Sequence, residues 1–139
     1  MGYDVVVIGG GIAAASFVSS LSTKAPKTRI LVLDKATRPG GRLGARSLHL
    51  PTGTHEVDIC AAYLTATSDE FRQQVQLWLE QGLLREWTQT LWVFQGDQRG
   101  ESSTGPMRYA AAGGLRSLVT YYFDKFAQES RQVIEYRPN

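Results

Sequence analysis

Residues 5–17 read VVVIGGGIAAASF, and their pattern decides the fold. Together with Tyr3, the residues Val5, Val6, Val7 and Ile8 make an apolar, β-branched run of the kind found in a strand covered on both faces of a parallel sheet. Gly9, Gly10 and Gly11 stop it. From Ile12 onward, Ala14, Val18 and Leu21 recur at helical spacing, which predicts a helix ending near Ser22, ahead of Pro26. Residues 29–34 (RILVLD) supply a second apolar strand. Parallel strands joined by a helix need a right-handed crossover, so residues 1–34 form the opening strand, helix and strand of a doubly wound α/β sheet.

The turn itself carries chemistry. Gly9, Gly11 and Ala14 fit the G-x-G-x-x-G/A pattern, in which the first glycine makes the tight turn, the second admits a diphosphate, and the third position packs helix on strand. Amides at the helix start, from Ile12 and Ala13, together with the helix dipole, make an anion site that needs no formal positive charge. Asp34 closes the second strand, where its carboxylate is placed to accept hydrogen bonds from ribose hydroxyls and to repel a 2′-phosphate. Lys35 and Arg38 stand close enough to soften that repulsion.

The totals frame this unit. A chain of 139 residues, 42% hydrophobic and 20% charged, buries one core of ordinary size. Its net charge of +2, from 15 basic and 13 acidic residues without a long run of one sign, points to neither nucleic acid nor a membrane surface. The N-terminal apolar run lacks a basic leader and carries Asp4, so it reads as structure and the protein as cytoplasmic. The lone Cys60 excludes an internal disulfide and suits a reducing compartment. His49 and His55 have no metal-ligand spacing, no metal site is predicted, and no residue stands out as a catalytic base.

Downstream, residues 35–43 (KATRPGGRL) read as a loop, and residues 44–59 as two short strands around Pro51, Thr52 and Gly53. Phe71, Val75, Trp78 and Leu79 mark a helix, and residues 91–94 a short strand. A loop at residues 110–114 precedes a helical stripe of Leu115, Leu118, Val119, Tyr122 and Phe126, and residues 133–136 predict a final strand.

Within the loop after the second strand, Arg38, Pro39, Gly40, Gly41, Arg42 and Leu43 spell RPGGRL. Gly40 and Gly41 let the chain pass against a cofactor, and Arg42 brings a fork of donors to its diphosphate or ring system. GGGIAAA, LDKATRPGGRLG and VDICAAYLTATSDEF together resemble the flavin-containing amine oxidase superfamily, and within it the renalase-like FAD-dependent oxidoreductases. The narrower resemblance rests on residues 57–65 (VDICAAYLT), similar to D-L-G-A-Q-Y-F-T, and on residues 108–115 (RYAAAGGL), similar to R-Y-x-x-x-P-G-M.

The resemblance implies a three-layer Rossmann-like FAD/NAD(P)-binding domain with a parallel sheet. By it, Gly9, Gly11, Ala14, Asp34, Lys35, Gly40, Gly41 and Arg42 contact FAD, while Cys60, Ala61 and Ala62 lie along the flavin ring. Cys60 replaces a glycine of the family and Ala62 a glutamine, so a side chain intrudes and a hydrogen-bonding group is lost. The implied reaction moves hydride from a dihydronicotinamide isomer or an amine to FAD and then to oxygen. On the same basis residues 1–59 form the FAD-binding unit, residues 60–105 begin an inserted substrate domain, and residues 106–139 return to the dinucleotide-binding domain. The family's later segments are missing, so the expectation is a truncated or split chain that a second polypeptide completes. A non-catalytic dinucleotide-fold binding protein and an NAD-dependent Rossmann enzyme are the alternatives.

Overall fold

The computed structural model describes residues 2–129. In chain order the elements are β1 (Val5–Ile8), α1 (Ile12–Lys24), β2 (Ile30–Leu33), a 3-10 turn (Gly41–Leu43), β3 (Ala45–Leu50), β4 (Gly53–Asp58), α2 (Asp69–Glu80), β5 (Arg85–Gln95), β6 (Gln98–Ala110) and α3 (Arg116–Glu129). They divide into two compact units, residues 1–61 with 113–139, and residues 62–112.

In the first unit β1 and β2 pair in parallel, Val5 with Ile30 through Ile8 with Leu33, with α1 as the connection. Val5 and Val7 project from one face of β1 onto a core built from Ala14, Ala15 and Val18 of α1, Ile30 and Val32 of β2, and Val119, Phe123 and Phe126 of α3. Small alanines on α1 let the helix lie close to the strands, while the phenylalanines of α3 fill the remaining space.

The expectation that β1 is covered on both faces does not hold. Val6 is 51% and Ile8 78% exposed. A strand alternates its side chains between faces, and the core helices lie only on the side of Val5 and Val7. Among the named strands of the described residues only β1 and β2 pair in parallel, and the other two sheets are antiparallel pairs. A full three-layer parallel sheet is therefore not what residues 2–129 form.

Polar contacts anchor the outer end of this pair. Asp4 accepts from the Arg29 backbone N–H at 2.9 Å, and from its guanidinium Nε at 3.1 Å and Nη2 at 2.8 Å. That two-pronged contact, chiefly its side-chain hydrogen bonds, lowers the Asp4 carboxyl from 3.8 to about 2. β3 and β4 form the predicted hairpin, with Leu50 facing Gly53 across Pro51 and Thr52.

The second unit pairs α2 with a long hairpin. Ser68 caps α2 by accepting the Phe71 N–H at 3.2 Å, and Asp69 and Glu70 place negative charge in its first turn. Val75 and Trp78, one helical turn apart, are buried, and Phe71 meets the Trp78 ring edge-on at 5.9 Å. The strand predicted at residues 91–94 is longer, spanning Arg85–Gln95, and it pairs with a strand that the sequence reading passed over, Gln98–Ala110. Gly96 (φ 61) opens the two-residue turn between them. The strand predicted at residues 133–136 lies outside the described residues.

Candidate functional site

β1 ends when the Gly9 N–H bonds to the Leu33 carbonyl at 2.7 Å, and Gly9 then turns with φ 95, a conformation that glycine reaches without strain. Gly11 caps α1 with extended backbone and no side-chain hydrogen bond, and the first turn holds no acidic residue. The helical ladder starts at Ala15, whose N–H reaches the Gly11 carbonyl at 3.0 Å. The amides of Ile12, Ala13 and Ala14 thus stand at a helix start with no intrahelical acceptor, the arrangement that binds phosphate.

The loop after β2 is bound directly to this turn. Gly40 donates its N–H to the Gly10 carbonyl at 2.9 Å, and Gly11 and Gly40 form an isolated parallel bridge. A Cβ on Gly41 would lie 3.3 Å from the Gly11 Cα, so the two glycine motifs pack backbone on backbone. Leu43 and Gly44 donate to the Gly40 and Gly41 carbonyls at 3.0 and 3.1 Å, closing the 3-10 turn. Ala61 donates to the Arg42 carbonyl at 3.2 Å.

These contacts bring Gly11, Ile12, Ala13, Gly41, Arg42 and Ala61 around one cleft of about 530 Å³, with Leu43 added to its wall. Asp34 stands beside the turn, half-buried, with one carboxylate oxygen on the Gly10 N–H and the other on the Ala36 N–H at 2.7 Å. A carboxylate has about four acceptor positions, so two stay available for ribose hydroxyls. Ala14 turns inward and belongs to the core, while Lys35 and Cys60 are exposed. Ala62 opens the other unit.

Two side chains missed in the sequence support the site. Asp58 accepts the Leu115 N–H at 2.8 Å, tying the end of β4 to the start of α3. Arg116 donates from Nη2 to the Ala45 carbonyl at 2.5 Å and lies 4.0 Å from Glu56. Asp58 and Leu115 both fall in segments that carry the family resemblance, yet nothing in the spacing of those segments pairs them.

Among the described residues no group of three or more His, Cys, Asp or Glu is arranged to hold a metal ion. No described helix is long and apolar enough to cross a membrane. A strand entering a glycine turn, an uncapped helix start open to a cleft and an acid just after the neighbouring parallel strand define a dinucleotide-binding unit. The family model for the NAD(P)-binding Rossmann-like domain matches residues 7–78, and the chain belongs to that family. Comparison with curated proteins returned no match.

Proposed function

We propose that the chain holds FAD and forms the cofactor-binding part of an oxidoreductase of the renalase and amine oxidase kind. The observation that carries this reading is the contact of Gly41 on Gly11, which sets Arg42 on the same cleft as the bare amides of Ile12 and Ala13. A nicotinamide dinucleotide needs the first glycine turn and Asp34, whereas a second glycine loop carrying an arginine suits a larger cofactor lying across both. In this reading Ile12 and Ala13 bind the diphosphate, Arg42 neutralises it, and Asp34 takes the ribose. Gly9, Gly40 and Gly41 clear the path, Lys35 lies beside the adenosine end, and Cys60, Ala61 and Ala62 approach the ring.

Bound FAD would supply the redox chemistry, accepting hydride from a dihydronicotinamide isomer or an amine and returning electrons to oxygen. Residues 60–105 contribute to a substrate domain, and a second polypeptide is the proposed partner of this fold. The outward Val6 and Ile8 of β1 support that partner, since exposed apolar strand faces mark interaction surfaces.

The test is the visible spectrum of the purified protein after incubation with FAD and gel filtration, run in parallel with a titration of NADH followed by the fluorescence of its reduced nicotinamide. Retained flavin absorbance supports the reading. Binding of NADH with no retained flavin favours the nicotinamide alternative, and a folded chain that holds neither favours a non-catalytic binding protein.

A further inference from the structure

The geometry points to Arg116 as a positioning residue for the candidate cofactor cleft: it clamps the loop of residues 40–44 so that Arg42 faces the cleft. This inference rests on the reading of that cleft as a dinucleotide site. Arg116 opens α3, and only 14% of its side chain is exposed. Its guanidinium reaches three segments at once. Nη2 donates to the Ala45 carbonyl at 2.5 Å, where the loop passes into β3. Nη1 lies 4.0 Å from Glu56 on β4, and Glu56 also accepts the Ser47 hydroxyl and lies 3.9 Å from Arg38.

The third contact is with the loop backbone. A Cβ on Gly40 would meet Arg116 Nε at 3.2 Å and Cγ at 3.4 Å, so the arginine stem lies directly under Gly40, whose φ of 148 only glycine adopts freely. Nε is buried and has no hydrogen-bond partner, which is costly for a charged donor group. From Gly40 the constraint runs to the Gly10 carbonyl and the turn at Gly11, and through the 3-10 turn to Arg42. The two atoms nearest to that Cβ position both belong to Arg116.

The experiment compares wild type, Arg116→Met, Arg42→Ala and the double variant by FAD titration and by amide hydrogen exchange. If Arg116 acts through Arg42, Arg116→Met weakens FAD binding about tenfold in the wild-type background and hardly at all in the Arg42→Ala background, because coupled residues are not additive. Exchange at the Gly40, Leu43 and Gly44 amides rises about tenfold or more, while β2 amides keep their protection. Equal losses of affinity in the two backgrounds, or unchanged exchange in the loop, overturn the proposal. If Arg116→Met does not fold, Arg116→Lys serves, since one ammonium group cannot span Ala45 and Glu56 together; it is expected to give the same pattern. A wild-type chain that takes up neither FAD nor NAD overturns the proposed function, and loop exchange then decides by itself whether Arg116 is the clamp.

Discussion

The Asp58 carboxylate accepts the backbone N–H of Leu115 at 2.8 Å, across 57 positions of sequence. Leu115 is fully buried just before α3, where amides have no intrahelical acceptor, so Asp58 works as a cap supplied from another strand. Gly114 has φ 73, and a Cβ there would lie 2.9 Å from the same carboxylate oxygen, which leaves the position to glycine. Asp58→Ala strands the buried amide and should destabilise the fold by about 1–3 kcal/mol, whereas Asp58→Asn keeps an acceptor oxygen and should cost under about 1 kcal/mol. Urea unfolding followed by circular dichroism checks the ranking.

Gly11 separates binding from stability. A methyl there meets the Gly41 Cα at 3.9 Å and the Gly40 carbonyl at 4.0 Å, ordinary contacts, and its φ of −89 suits any residue. Yet Gly11 lines the cleft where a diphosphate would approach. Gly11→Ala is expected to unfold within about 0.5 kcal/mol of wild type, the usual range for a substitution that disturbs nothing buried. Dinucleotide affinity should fall by tenfold or more, read by flavin fluorescence titration. Equal binding by the variant would move the diphosphate away from this turn.

What could be read from the chain follows from how local each signal is. β1, α1 and β2 are legible because their apolar patterns and the intervening glycines act within a few residues. β6 is not, since Gly100, Gly105 and Pro106 disfavour a strand locally, and only pairing with β5 makes the segment one. A Cβ at Gly100 would lie 3.0 Å from the Val93 carbonyl, so that glycine answers to a neighbouring strand and to nothing nearby in sequence. The site divides the same way. Gly11 and Gly41 are each visible as motif glycines, but their mutual contact, the Asp58 bond to Leu115 and the reach of Arg116 are tertiary facts.

Asp34 holds the turn before it holds any ligand. Its two oxygens accept from Gly10, which is buried, and from Ala36. Asp34→Ala should therefore destabilise the free protein by about 1–3 kcal/mol as well as weaken dinucleotide binding. Asp34→Asn retains one acceptor oxygen, for Gly10 or for Ala36, and should lose part of the stability and part of any ribose affinity. Thermal melts with and without ligand separate the two effects. An Asp34→Ala protein as stable as wild type would show that the amides find other acceptors.

The Asp4 pair with Arg29 gives the fold a dependence on acid. The Asp4 carboxyl sits at about 2 in the folded chain against 3.8 for the free group, so the folded state favours the ionised form. Stability from this pair is complete above about pH 4 and is lost as the pH falls from there through about 2, since below both values the carboxyl is protonated whether or not the chain is folded. Asp4→Asn removes the titration while keeping the shape. The melting temperature of wild type should exceed that of Asp4→Asn by a constant margin from pH 7 to about 4, and the margin should shrink towards zero near pH 2. Raised salt should narrow it at neutral pH, because both side chains are about half exposed and open to screening. A margin that stays constant down to pH 2 would mean that the two side chains part in solution, leaving the β1 and β2 backbone pairing to hold this end of the sheet.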